Sequence, residues 1–261
     1  MEEYSIYKDD FSIKRSVRIL KKFGFCIFKN FYLDDEISFL EKSFQELNAD
    51  IKDAKSSEVL ELSYQRKSYD DLASSNKSIA DIRGEQNEYD NNFVDVFNPE
   101  YWLKNKYPQA LNLCSRLKDK KFESITQNFS EKLEARNSNI YFHNGVTNPR
   151  IHHIDSLKPY FKAFLAISDQ TSYDCGPFSV VPGSHNKKLR NYLMCQFNSK
   201  ILMKTGSACS DAIFYRKNSL YPLLLSRGDI GFCNQTIVHG AMPSAHNGRR
   251  VTYVQTFAET S

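Results

Sequence analysis

From residue 137 onward the chain is punctuated in a way that few folds accommodate. Short apolar runs (NIYFHN, FKAFLAIS, FSVVPGS, GDIGFCNQ and VTYVQTF) are separated by Gly, Pro, Asn, Asp or Ser. Runs of this length, rich in β-branched and aromatic residues and bounded by turn formers, read as strands. A succession of short strands must close or stack, because open edges invite aggregation. The expectation for 136–258 is therefore a jelly-roll or barrel.

The first half reads differently. In SIKRSVRILKKFGF the apolar positions 13, 17, 20 and 23 keep helical spacing, and Gly24 is placed to end the helix. FCIFKNF follows as a short buried strand, and Asp34-Asp35 open a second helix with apolar residues at 37, 40, 44 and 47. Residues 50–92 are polar with weak periodicity, which suits a surface or lid segment. Its basic residues (Lys52, Lys55, Arg66, Lys67, Lys77, Arg83) form either a solvated face or a patch that meets an anionic substrate, with Arg83 a candidate contact. Helical patterning returns over 99–135. No Gly/Pro/Ser-rich linker separates the halves, so 1–261 reads as one domain, mainly β with α, its 1–135 part mostly helical.

Composition narrows the function classes. Hydrophobic residues at 41% and charged residues at 25% fit a globular chain and not a disordered one. No run approaches the ~18 apolar residues of a membrane span, and the acidic start MEEYSIYKDDF is unlike a signal peptide. The six cysteines are scattered without a CxxC pair, so reduced thiols and a cytoplasmic location are expected. The net charge of +4 comes from interspersed Lys and acidic residues, not a basic stripe. Neither nucleic acid nor membrane is expected as a partner.

Six histidines carry the chemical signal. RIHHIDS holds His153-Ile154-Asp155, and on extended backbone residues i and i+2 share a face. One imidazole and one carboxylate then converge from a single short segment. His239, in DIGFCNQTIVHGAMPS, is the third candidate. Two His and one carboxylate on one face of a jelly-roll make the facial triad that holds Fe(II) with open positions for substrate and O2. The adjacent Arg249 and Arg250 offer a guanidinium for a dicarboxylic cosubstrate, though either alone could be an ordinary surface charge; on a strand at most one of them can face inward. His143 and Asn144 end the strand before the triad; they either line the pocket, His143 as a candidate for substrate and Asn144 for cosubstrate, or are simply polar residues at a strand end. Lys162 is a lone cation in an apolar strand, facing either the pocket, where it is a candidate substrate contact, or outward. His152 should point away from His153, His185 belongs to a Pro-Gly turn, and His246 lies in a polar loop.

These residues carry a resemblance. The segments LKKFGFCIFKNFYLDDEISFLEKSF, HHID, FLAISD, CGPFSVVPGSH and GDIGFCNQTIVHGAMPSAHNGRRVTYVQTF are similar to blocks of the phytanoyl-CoA dioxygenase family of Fe(II)/2-oxoglutarate-dependent oxygenases. The resemblance implies a double-stranded β-helix, a cupin-like jelly-roll flanked by N-terminal helices. It implies that His153, Asp155 and His239 bind iron. An arginine eleven residues past the distal histidine, Arg250, would bind the 2-oxoglutarate C5 carboxylate, with Arg249 the alternative if the turn is one residue shorter. It also implies O2 as co-reactant and succinate and CO2 as products. Related halogenases lack the metal carboxylate, so Asp155 favours hydroxylation of a small-molecule metabolite or natural-product intermediate. Other oxidative outcomes, another metal enzyme on the same barrel, and a non-catalytic binding protein are the alternatives. Where the family often has Ser two residues past the distal histidine, this chain has Ala241.

Overall fold

The computed structural model describes residues 2–53, 79–83, 93–150 and 152–259, with 79–83 as backbone alone. Two antiparallel-rich sheets form the frame. The larger has eight strands in the order β1-β2-β9-β6-β11-β5-β4-β3, and the smaller three in the order β10-β7-β8. In the chain these are β1 (Ser5–Tyr7), β2 (Phe25–Lys29), β3 (Ile79–Arg83), β4 (Phe93–Phe97), β5 (Leu133–Asn144) and β6 (Phe161–Ala166). They continue with β7 (Phe178–Val180), β8 (Tyr221–Pro222), β9 (Ile230–Asn234), β10 (His239–Ala241) and β11 (Arg249–Glu259). This is the jelly-roll expected from the punctuated half.

Strand alternation sorts the side chains of the large sheet between two layers. On one face Phe28, Phe161, Phe232, Tyr253 and Phe257 pack against helices α1 (Ile13–Phe23), α2 (Asp34–Asp53) and three short helices at Glu100–Lys106, Pro108–Ser115 and Lys120–Gln127 (α3–α5). Leu20, Leu40, Phe44, Leu113 and Phe122 supply the helical side of that layer. On the other face Phe25, Ile27, Phe164, Cys233 and Val254 meet Val180 of the small sheet and Leu223. Burying one such side chain contributes roughly 1.5–3 kcal/mol. Helix α1 starts at Ser12, whose hydroxyl accepts from the Arg15 amide, and stops at Gly24 with φ 86°.

Three features depart from the sequence reading. The first half is not purely helical: β1, β3 and β4 join β2 in the large sheet. The 50–92 segment, read as a loop or lid, is helical to Asp53 and extended at Ile79–Arg83. Its remainder, 54–78 and 84–92, lies outside the described residues, as do the side chains of the six basic residues named above, Arg83 included. Third, a helix α6 (Lys188–Lys200) interrupts the β-rich half. Its inner face buries Asn191, Met194 and Asn198. Asn191 donates to the carbonyls of Ser184 and Thr236, and Asn198 to those of Cys209 and Asp211. Those amides tie the helix to the segments on either side of the two candidate histidines. No helix among the described residues is long and apolar enough to cross a membrane.

The turn that launches β11 is closed by glycine for steric reasons. A Cβ on Gly248 would lie 1.8 Å from the carbonyl oxygen of Asp174. Because the obstacle is backbone, Gly248→Ala is expected to destabilise the protein by roughly 2–3 kcal/mol. Thermal denaturation should show this as a melting point lowered by about 5–10 °C. An unchanged melting point would show that the turn is not packed as described.

Candidate metal centre and its cavity

The segment carrying His153 is drawn against the small sheet by a backbone pair. The His153 amide donates to the His239 carbonyl and the His239 amide to that of His153, both at 2.9 Å. Asp155 is fixed next by its amide, which donates to the Gln235 carbonyl at 3.1 Å. Two strand-like segments distant in sequence thereby present three side chains to one point. One ligand atom from each of His153, Asp155 and His239 lies within 4.8 Å of the others. Asp155 Oδ1 is 3.2 Å from His153 Nε2 and 3.5 Å from His239 Nε2. Donors held at ~2.1 Å on adjacent corners of a metal would sit ~3 Å apart, so the face is close to metal-ready.

Surrounding groups set the orientation. His239 Nδ1 lies 2.9 Å from the Ile237 carbonyl, so the proton belongs on Nδ1 and Nε2 offers its lone pair to the centre. The Phe178 ring packs 5.3 Å from the His239 ring. Lys162 Nζ donates to Asp155 Oδ2 at 2.7 Å, leaving Oδ1 for the histidines. Burial alone would raise the Asp155 carboxyl, but the Lys162 ammonium, then the His239 and His153 imidazoles, hold it well below the usual carboxylate range. Burial lowers His153 against the pull of Asp155, which keeps the imidazole neutral and available as a donor.

The centre opens into a cavity of about 750 Å³ between the two sheets. At one end stands Arg250, 5% exposed on the inward face of β11. Its Nη1 donates to the Gly176 carbonyl at 2.7 Å and its Nη2 to His143 Nδ1 at 2.5 Å. Among the described residues its Nε–H finds no partner, and neither does the buried hydroxyl of Ser244, whose Cβ lies 3.0 Å from where a Gly176 side chain would begin. Burial lowers the guanidinium to about 10, still charged at neutral pH. A buried cation with an unspent donor beside an unspent hydroxyl is suited to a carboxylate.

Several sequence candidates land elsewhere. Arg249 alternates with Arg250 and so faces the helical layer, where its Nη2 approaches Glu41 of α2 at 3.8 Å; it does not reach the cavity. Asn144, register partner of Arg249 on β5, shares that outward face and is absent from the cavity lining. His143 does line the cavity, but as the cross-strand partner of Arg250. Lys162 also faces inward, where its ammonium pairs with Asp155. His152 meets Ser179 at 2.8 Å, on the side away from the centre. His185 is buried against the Lys21 carbonyl beneath Gly24. The sequence reading missed Gln170, whose amide donates to Thr252 Oγ1 at 3.0 Å in the cavity wall. It also missed Asp95, Asn139 and Tyr141. Alternation along β4 and β5 would have exposed the last three, had β4 been recognised.

Residues 20–251 match the model of the family described as phytanoyl-CoA dioxygenase (PhyH). The chain belongs to that family. It is a family of iron- and 2-oxoglutarate-dependent oxygenases, as the resemblance implied. Solved structures share the fold at low identity. AviO1 from Streptomyces viridochromogenes Tue57 is 15% identical, with 96% of each chain covered and a TM-score of 0.60. SnoK, a non-heme alpha ketoglutarate dependent carbocyclase from nogalamycin biosynthesis, is 16% identical over 96% of this chain and 85% of its own, with a TM-score of 0.60. HygX from Streptomyces hygroscopicus, solved with nickel and 2-oxoglutarate, is 15% identical over 94% and 86%, with a TM-score of 0.55. No curated protein sequence matches the chain.

Proposed function

We propose that this PhyH-family chain hydroxylates an unactivated C–H bond of a small-molecule metabolite or natural-product intermediate. In this reading His153, Asp155 and His239 hold Fe(II), and Arg250 anchors the distal carboxylate of 2-oxoglutarate. The observation that carries it is the pairing of the two half-sites. A triad of two imidazoles and a carboxylate sits in the same cavity as a buried guanidinium with an unspent N–H. When bound, iron and 2-oxoglutarate supply the activation of O2, with succinate and CO2 as co-products.

The protein's own part is orientation and exclusion. Asp155 gives Oδ1 to the centre because Lys162 occupies Oδ2. The carbonyl of Ile237 fixes which nitrogen of His239 faces inward. Phe164, Phe178, Leu223 and Leu225 line the cavity with apolar surface that limits water beside the centre. No side chain is required as nucleophile. Strands from both halves share the large sheet, which supports reading 1–261 as one oxygenase domain.

Anaerobic addition of Fe(II) and 2-oxoglutarate to the intact protein is expected to produce a visible metal-to-ligand charge-transfer band. A protein that binds Fe(II) by titration yet yields no band on adding 2-oxoglutarate would reject the assignment. Lys162 provides a finer check. Losing a group that orients a metal ligand typically costs ~10–100-fold in metal affinity, so Lys162→Met should weaken Fe(II) binding by about that factor. Lys162→Arg should recover part of it in calorimetric titrations; equal affinity in all three proteins would remove Lys162 from the centre.

A further inference from the structure

We infer that helix α6 and the turn after it form a surface that seats the protein on an anionic lipid membrane. More than half of the large apolar side chains exposed among the described residues lie between Leu189 and Ile213. Leu189, Leu193, Phe197 and Ile201 follow one another at four-residue steps, so they make one row along the helix and just past its end. Leu189, Leu193 and Ile201 are 71%, 51% and 65% exposed. The helix is held from its other side, where Asn191, Met194 and Asn198 are buried. Beyond its end the run Ile201-Leu202-Met203 is exposed throughout. Met203 is 77% exposed, and its backbone takes φ 50°, a left-handed conformation unfavourable for any residue but glycine.

The charges around this row have one sign. No Asp or Glu occurs between Asp174 and Asp211, a stretch that contains Lys187, Lys188, Arg190, Lys200 and Lys204. Asp211 is itself buried and takes up Lys204 at 2.9 Å. Arg190 lies over the Tyr215 ring, whereas Lys187, Lys188 and Lys200 stand exposed. Lys188 and Arg190 sit in the first turn of the helix with no acid beside them, where the backbone dipole repels a cation. The fold adds a further contribution. Asn186 donates to the Lys21 carbonyl at 3.1 Å, which sets the basic end of α1 against the start of α6.

This charge pattern selects the occupant. A second copy docked by the same face about a two-fold axis would set these lysines against their own counterparts. An anionic bilayer answers both features at once. The aliphatic row enters the boundary between headgroups and acyl chains, while the lysine stems lie along it and their ammoniums reach lipid phosphates. Tyr192 and Phe197 flank the row, at the level where aromatic rings favour the interface. A bilayer yields around a convex ridge, whereas a protein would have to offer a matching groove. The expectation of no membrane partner rested on the lack of a spanning run and of a basic stripe. An interfacial helix needs no span, and the cations gather only when α1 and α6 meet. Ser207 and Ala208, shortly past Met203, line the cavity, so a chain seated on this face holds one edge of the cavity close to the lipid.

The test uses the full-length protein and co-sedimentation with two vesicle preparations, phosphatidylcholine alone and phosphatidylcholine with about one-third phosphatidylserine. The anionic vesicles should bind at least tenfold more tightly, and about 0.5 M salt should remove most of that difference. Lys187→Glu/Lys188→Glu should weaken binding to the anionic vesicles tenfold or more. Acids at a helix start favour the dipole, so this variant does not lose binding through a weakened helix. Leu189→Ser/Leu193→Ser, at exposed positions, should lose binding to a similar extent with its melting point nearly unchanged. Lys104→Glu, an exposed lysine on α3, is the control and should bind as the unaltered chain does. Equal binding to both vesicles, or indifference to both double variants, would overturn the inference. So would binding to neither, the result expected if an acidic protein covers the face. A dimer that Leu189→Ser/Leu193→Ser dissolves would assign the face to a second copy and overturn it as well.

Discussion

Arg250→Ala is expected to raise the 2-oxoglutarate concentration for half-maximal turnover by ~10²-fold or more, the effect of truncating one partner of a buried hydrogen-bonded charge pair. Fe(II) affinity should stay within a few-fold of the unaltered protein, because Arg250 contacts Gly176 and His143 and none of the triad. The size of the effect follows from burial. A guanidinium 5% exposed has given up its water, and among the described residues its hydrogen bonds go to a carbonyl and an imidazole. Arg250→Lys should recover little, since an ammonium is a single point and cannot span the Gly176 carbonyl, the His143 ring and a carboxylate, which the planar guanidinium meets from separate nitrogens. Arg249→Ala is the control: its guanidinium lies on the outer face near Glu41, and 2-oxoglutarate affinity should not change. Titrations with 2-oxoglutarate, read by the charge-transfer band, would decide the matter. Equal losses in the Arg249 and Arg250 variants would refute the assignment.

The contrast between those arginines shows what the sequence could and could not convey. Spacing established that at most one of the pair can face inward, and family likeness favoured Arg250; which face of β11 looks to the cavity depends on the layers packed on either side. Val251, Tyr253 and Phe257 go to the helical layer, so Arg250, Thr252 and Val254 go inward. The triad was legible because H-x-D is a local geometric device and His239 follows an apolar strand. Strand β4 was not, because FVDVF follows a polar stretch and carries a charge at its centre. That charge is a cavity residue, so the feature that hid the strand is the one that makes it informative. Helix α6 was missed for a related reason. Its buried positions are two asparagines and a methionine while Leu189 and Leu193 point outward, which inverts the usual amphipathic pattern. Its inward asparagines satisfy backbone carbonyls near the two histidines, a tertiary task that no periodicity announces.

The largest loss should come from the triad itself, and its two kinds of ligand should fail differently. Removing one donor from a protein metal site forfeits on the order of a third of the binding energy, so Asp155→Ala and His239→Ala should each lower Fe(II) affinity by ~10³-fold or more. Turnover should become undetectable in both. The difference lies in what remains. His239→Ala removes a neutral donor and leaves the Asp155–Lys162 pair intact. Asp155→Ala instead takes the carboxylate away from the Lys162 ammonium, only 14% exposed, and leaves a gap beside that cation. That cation should draw a small anion into the gap, and formate is the size of the missing carboxylate. Added formate should therefore restore part of the Fe(II) affinity to Asp155→Ala and none to His239→Ala. In the double variant Asp155→Ala/Lys162→Met the rescue should disappear, because the charge that recruits the anion has gone. Rescue of both single variants alike, or of neither alongside unchanged metal binding, would place the metal somewhere other than between His153, Asp155 and His239.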